Sequence, residues 1–310
     1  MKLQVDYICL PLDRATDGGV IYDRRLIDGL TKIGADVKIF EISVTKKRMQ
    51  LFPLWARGPK NAGTLDLRHG AHRIVSHELL IPLVSQIKPE LFIVHNFLPA
   101  FQWHQGRLSE HYFRLGSDSY FKKAFDSAKN IVVLSAREQS YIYDMWAYKT
   151  YHLPPGVKVV DPSKISPIDI SLVKRTGSTG WYPKRKSIIS DNEIMRAFNT
   201  DNISNETKLH ARGFGLIEDQ FLSGFKLKLL EYIQKGDFVV SRVNLRDEID
   251  ALGLNGDGFF HWNSKEVPLL KLQERFSSEL DADLVSSRRK YLNNKFSWTA
   301  IAQKMLDICS

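Results

Sequence analysis

Two α/β domains in tandem, each a doubly wound parallel sheet, are what this 310-residue sequence predicts. Three observations carry that expectation. Apolar, β-branched runs alternate with stretches at helical spacing along nearly the whole chain, which implies right-handed crossovers between parallel strands. The alternation runs to Pro154-Pro155-Gly156, a turn signal, and then restarts. The length suits two domains of ordinary size, and 43% hydrophobic against 25% charged residues is enough apolar material for two cores of a soluble protein.

The elements follow in order. Leu3 to Leu10 is a predicted strand, followed by a loop holding Asp13, Asp17 and the pair Gly18-Gly19. Leu26, Ile27, Leu30 and Ile33 then recur at helical spacing and stop at Gly34. Ala35 to Ile42 is a second strand, Leu91 to His95 a third after Lys88-Pro89-Glu90, and Ile131 to Leu134 a fourth that ends at Ser135. In the second half, Leu172 to Thr176 is a short strand leading into Gly177-Ser178-Thr179-Gly180. The basic cluster Lys184-Arg185-Lys186 and a helix through Ile194 and Phe198 come next. Leu209 to Gly215 supplies one strand, and its Gly213 and Gly215 are not a dinucleotide fingerprint, because no third glycine or opening helix follows at the required spacing. Phe259 to Trp262 is a further strand, and two helical stretches close the chain. The expected boundaries are 1–157, 158–295 and a terminal helix over 296–310 that packs back across the domains.

Composition narrows the function classes. The net charge of +9 fits nucleic acid, anionic lipid or phosphorylated small molecules as partners. Zinc-finger spacing, a heptad-backed basic region and an aromatic RNA-recognition signature are all missing, so nucleic acid is not expected. Cys9 lies inside a predicted strand and Cys309 is penultimate, which suits a reducing cytoplasm and no disulfide framework. No Cys/His cluster has metal-ligand spacing, and no metal is expected. No apolar run approaches the ~18 residues of a membrane span, and the first residues lack the regions of a signal peptide.

Residues 223–236 carry the most chemistry: Ser223 and Gly224, then Phe225 to Lys235 at helical spacing, then Gly236 where a C-cap belongs. A glycine before a helix N-terminus leaves backbone N–H groups and the positive dipole end free for an anion. Lys228 lies in the first turn and Glu231 three residues on, on the same face. A cation at the helix mouth with a carboxylate one turn deeper suits a nucleoside diphosphate and its ribose. The same spacing also describes an amphipathic helix with a solvated ion pair.

Gly-x-x-x-Lys-Leu-Leu-Glu-Tyr over 224–232, followed by Gly236 and the Val239-Val240 strand, resembles the donor-binding segment of GT-B glycosyltransferases. The resemblance is closest to the retaining nucleotide-sugar enzymes of glycosyltransferase group 1, the family-four-like enzymes. It implies two Rossmann-like domains with the nucleotide-sugar site in the cleft between them. It also implies that Gly18, Gly19, Gly177, Ser178, Arg185, Ser223, Gly224, Phe225 and Lys226 bind the donor, that Lys228 stabilises its diphosphate and that Glu231 holds the ribose. Many members carry a glutamate near the transferred sugar where this chain has Ser223. Gly18-Gly19 resembles the family's loop after the first strand, and Pro89 to Asn96 resembles its strand ending in a cleft-facing histidine, here His95. Ile131 to Ser135 and Phe296-Ser297-Trp298 are similar to two later family segments, in the correct order. After the first strand of the second domain the family places an arginine and a lysine against the leaving diphosphate. Here Ser178, beside Gly177, stands at the arginine position, while Lys184, with Arg185 or Lys186 assisting, falls one position beyond the lysine. The stretch from Gly177 to Lys226 is roughly half the family's length, so one strand–helix unit is expected to be missing.

These residues imply glycosyl transfer from a nucleotide-diphosphate sugar to a glycan, lipid-linked or other acceptor in glycoconjugate or polysaccharide synthesis, with retention and without a metal or other cofactor. His95, Lys184 and Lys228 are the expected catalytic groups, and Asp17 or His95 the base if the reaction inverts. Lys46, Lys47 and Arg48 beside Phe52 and Trp55 suit peripheral contact with an anionic membrane from the cytoplasmic side, or a loop whose aromatics anchor the core. Two other readings stand beside this one. One is a non-catalytic subunit of the same fold that activates a partner enzyme. The other is a sugar-nucleotide epimerase or hydrolase.

Overall fold

The computed structural model describes residues 2–13, 18–43, 65–97, 99, 108–175, 189–204, 211–219, 224–262 and 269–310. The chain divides into two compact units, 1–156 with 223–225 and 298–310, and 157–222 with 226–297. Each is an α/β unit built on one all-parallel sheet.

The first unit contains β1 (Gln4–Cys9), α1 (Gly18–Lys32), β2 (Asp36–Glu41), β3 (His72–Ser76), α2 (Ile81–Ile87), β4 (Leu91–Val94), α3 (Leu108–Ser127), β5 (Asn130–Val133), α4 (Ala136–Trp146) and β6 (Tyr151–His152). The strand order is β2-β1-β3-β4-β5-β6. Strands covered by helices on both faces need apolar side chains in succession, and β4 (Leu-Phe-Ile-Val) is buried at every position. Its Phe92 and Val94 pack with Ile8, Val75 and Phe121 in one core. The chain leaves β1 toward β2 on one side, while β3 pairs with β1 on the other. The carboxyl ends of β1 and β3 therefore flank the switch point, where open α/β sheets place their ligands.

The second unit contains β7 (Ile168–Lys174), α5 (Asp191–Phe198), β8 (Ile203–Ser204), β9 (Arg212–Ile217), α6 (Leu227–Lys235), β10 (Phe238–Ser241), α7 (Arg246–Ala251), β11 (Phe259–His261), α8 (Leu269–Glu279) and α9 (Ala282–Phe296). Its order is β11-β10-β9-β7-β8, which puts the switch point between β7 and β9. Among the described residues this sheet has five strands and the first has six. Beneath it, Lys174 Nζ donates to Asp237 Oδ1 at 2.6 Å and to the Ala211 carbonyl at 2.7 Å, both side chains being all but sealed from solvent. Burial pushes the Asp237 carboxyl up, against the pull of the Lys174 charge. Gly215 in β9 is a packing glycine, because a Cβ there would run into the Tyr232 ring.

The last helix, α10 (Trp298–Cys309), belongs to the first unit and packs on α1. A Cβ on Gly29 of α1 would lie 2.6 Å from the Trp298 carbonyl oxygen, so the close helix approach depends on that glycine. Ile301, Ala302 and Met305 are fully buried. Both cysteines are free and buried.

The sequence expectations require several corrections. Three helices rather than two close the chain. Asp281 caps α9 by accepting the Leu284 N–H at 2.7 Å, which separates it from α8. Ser297 is extended (φ −57°, ψ 152°) and bridges Val157, which separates α9 from α10. Strand β7 starts at Ile168, with a register irregularity between Ile168 and Val173. Strands β3, β6 and β8 had no counterpart in the sequence reading.

Candidate functional site

The first switch point carries a buried polar network. Tyr7 in β1 donates its hydroxyl to Asp23 Oδ1 at 2.7 Å, and Ser76 at the end of β3 bonds the same oxygen at 2.6 Å. Ser76 Oγ also lies 2.8 Å from His95 Nε2, just past β4. All four side chains are within 4% of full burial. Burial, then the nearby Asp23 charge, raises the Tyr7 phenol well above its ordinary value, which keeps it a neutral donor. Tyr22 packs edge-on against His95 at 5.0 Å and against Trp298 at 5.4 Å.

His77 adds a second imidazole, with ring centroids 5.1 Å apart. Its φ of 99° is rare for a side-chain-bearing residue, and such strain gathers at functional positions. Its Nδ1 accepts the Leu79 N–H at 3.2 Å and caps the short turn before α2. Gly18 and Gly19 open α1 beside this pair. A Cβ on Gly19 would lie 3.1 Å from His95 Nδ1 and 3.2 Å from His77 Cδ2. Gly224 also belongs to this unit. Its N–H donates to Glu138 Oε1 at 2.8 Å, the atom that accepts the Phe97 N–H at 2.8 Å. At φ 58°, a Cβ on Gly224 would strike the His95 carbonyl oxygen and lie 2.7 Å from Asn96 Oδ1. Only glycine fits there. Phe225 is half-buried beside it.

The second switch point is charged. Asp219 follows β9, buried to 2% exposure, and meets Lys228 Nζ at 2.9 Å and Lys226 Nζ at 3.5 Å. Lys226 is the N-cap of α6 without a side-chain cap, and Lys228 is in its first turn. Glu231, one turn deeper and half-buried, makes no hydrogen bond or ion pair among the described residues. Gly236 ends the helix in the left-handed region at φ 76°. Across the switch point, Arg175 after β7 bonds Glu218 Oε2 at 2.9 Å and Asp191 Oδ1 at 2.6 Å. Glu218 in turn accepts the Ile189 N–H at 2.9 Å.

The structure thus brings Gly18, Gly19, Gly224 and His95 together in one unit, and Lys226, Lys228 and Glu231 in the other. Gly177, Ser178, Lys184, Arg185 and Ser223 lie outside the described residues, as do Asp17 and the segment Lys46, Lys47, Arg48, Phe52 and Trp55. Sequence reasoning missed Asp23, Ser76, His77 and Asp219. A sequence signal existed for Ser76 and His77, since the run Ile74-Val75 is a short strand core. Among the described residues there is no metal-ligating group of three or more His, Cys, Asp or Glu, and no helix is long and apolar enough to cross a membrane.

No protein-family model matches the sequence, and no curated protein is significantly similar to it. Solved structures do match in fold. Sucrose-phosphate synthase from Thermosynechococcus elongatus superimposes with a TM-score of 0.70 at 13% identity, over 99% of this chain and 98% of that one. HepE of Anabaena, solved in complex with UDP, gives 0.59 at 11% identity over 98% and 99%. A glycosyltransferase from Rickettsia africae gives 0.56 at 12% identity over 99% and 98%. The chain has the two-sheet fold of GT-B glycosyltransferases.

Proposed function

We propose that the protein is a glycosyltransferase that takes its sugar from a nucleotide-diphosphate donor. The observation that carries this reading is the convergence of Lys226 and Lys228 on the first turn of α6, beside the β7/β9 switch point. Both lysines meet Asp219 at the amino end of the helix, where the helix dipole adds positive potential. That arrangement fits an anionic diphosphate, and Glu231, which makes no hydrogen bond or ion pair among the described residues, fits ribose hydroxyls one turn deeper. The lysines, with Lys184 and Arg185, would stabilise the departing diphosphate electrostatically, which is work a metal does in other enzymes. Transfer would then proceed without a metal or cofactor and, by family resemblance, with retention. HepE was solved with UDP, which makes uridine nucleotides the first donors to try. The acceptor would be a glycan or lipid-linked sugar.

The pairing of both lysines with Asp219 favours a second reading, a non-catalytic protein on the same fold whose charges serve structure. One experiment separates the two. A thermal-shift screen with nucleoside diphosphates and nucleotide sugars should register about 2.7 kcal/mol of added stability at 100 times Kd. Silence from every nucleotide sinks the transferase reading. A response followed by sugar transfer in the presence of EDTA supports it together with metal independence.

A further inference from the structure

The second sheet carries a cavity at its β10/β11 edge. Side chains alternate along a strand, so Val239 and Ser241 point away from the core that takes Phe238 and Val240. Phe259 and His261 stand in register with them on β11. Leu245, Arg246 and Ile249, at the start of α7 and within it, close the other side. The space between measures about 150 Å³, enough for one six-membered ring. It lies beyond β9 in the order β11-β10-β9-β7-β8, whereas Asp219 follows β9 beside the β7/β9 switch point.

The walls are apolar, and Val239, Leu245 and Ile249 are all buried. One polar atom is set among them. Ser241 is 3% exposed, and its oxygen accepts the Val243 N–H at 3.2 Å. A hydroxyl also has a proton to give, and no acceptor for it exists among the described residues. A buried donor left unmet is costly, so the cavity calls for an acceptor at that depth.

The mouth is polar. Arg246 and His261 are exposed there, and Arg246 Nε donates to Asp250 Oδ2 at 2.8 Å. Its two Nη groups have no acceptor among the described residues. An exposed i,i+4 pair of this kind is weak, so the guanidinium is able to serve a second carboxylate through Nη1 and Nη2. Gly256 borders the same rim. A Cβ there would lie 3.7 Å from Arg246 Nη1 and meet nothing else within 4 Å, so the absence of a side chain keeps the rim open.

We propose that this cavity binds a single-ring carboxylate, with the ring between Val239 and Ile249, a ring acceptor taking the Ser241 proton, and the carboxylate on Arg246 at the mouth. A ring has no internal freedom to lose on burial, and Phe259 offers it an aromatic neighbour. The site shares no residue with Lys226, Lys228 or Glu231, and it stands whether or not the protein transfers sugar.

The probe is para-hydroxybenzoate, added at millimolar concentration to the 15N-labelled full-length protein. The backbone amides of Val239, Ser241, Ile249 and Phe259 should shift together. Benzoate, which lacks the ring oxygen, should bind about fivefold more weakly, and phenol, which lacks the carboxylate, about tenfold more weakly. Arg246→Gln should weaken para-hydroxybenzoate about tenfold and leave phenol unchanged. Gly256→Leu should block entry at an unaltered melting temperature, while Gly256→Ala still binds. The absence of amide shifts overturns the site, as does wild-type affinity in Gly256→Leu, which would put the probe elsewhere. Equal binding of benzoate removes Ser241 from its role, and wild-type affinity in Arg246→Gln removes the carboxylate contact; either overturns the ligand class. UDP should leave the probe's affinity unchanged, and competition between them would overturn a separate site. A protein that binds the probe and ignores every nucleotide loses only the transferase reading.

Discussion

The carboxyl ends of the two sheets solve the same topological problem with opposite chemistry. At the β1/β3 switch point, Tyr7, Asp23, Ser76 and His95 form a sealed network with a single carboxylate, directed by hydrogen bonds. At the β7/β9 switch point, Asp219, Lys226 and Lys228 hold charges directly, as do Arg175 and Glu218. The difference teaches what holds each end together. A directed network depends on hydrogen-bond geometry, because a donor in the wrong place leaves a buried partner unsatisfied. A cluster of directly paired charges makes less demand on geometry and is weakened by salt.

The largest effect should come from the charged unit's foundation. Asp237→Ala leaves Lys174 buried without its partner, and the loss should be about 3–5 kcal/mol, read from the denaturant midpoint. A smaller loss would mean that water reaches Lys174. The next effect belongs to the first unit and to acid. His152 is held down to about 4 by burial, so the unfolded chain takes up its proton near 6.5 while the folded chain resists. Stability is then full above pH 6.5 and falls as pH drops toward 4, by about 2 kcal/mol at pH 5 from this residue. His152→Gln should flatten that limb in a pH series of unfolding curves.

Asp219→Ala tests the charged site directly. It should cost about 2 kcal/mol, less than the Asp237 change because Lys228 reaches solvent, and high salt or a bound nucleoside diphosphate should recover part of the loss. Recovery by neither would mean that the lysines are not an anion site. The smallest change, Gly19→Ala, should cost about 1 kcal/mol by crowding both histidine rings, with no salt dependence in its melting temperature.

Much of the architecture was legible because buried parallel strands announce themselves as short apolar runs between punctuating residues. Leu91 to Val94 after Pro89, and Phe238 to Ser241 after Gly236, are such cases. Strands β6 and β8, at two residues each, exist only through pairing with β5 and β7, and no local pattern encodes them. Strand β3 pairs with β1 across about seventy positions, a separation that the short His69-Gly70 turn before it does not reveal. The site divides the same way. The α6 motif is contiguous, so its lysines and Glu231 stood out, and its C-cap at Gly236 falls where the spacing puts it. Asp23 and Ser76 lie 53 positions apart and meet only when β1, α1 and β3 have assembled. Asp219 reads in sequence as one half of an acidic pair in a loop, and nothing local says that two lysines fold back onto it.

The seating of α10 on α1 bears on the order in which the protein is made. The helix that covers Gly29 is encoded after the whole of the second unit, so the ribosome delivers residues 157–297 before the first unit can close its helical layer. Chains usually fold from the first domain synthesised. Here the first unit has its six described strands in hand by residue 152, yet Gly29 and the ring of Tyr22 wait for Trp298. A nascent chain arrested short of residue 298 would therefore expose an apolar helix face, a natural foothold for chaperones during synthesis.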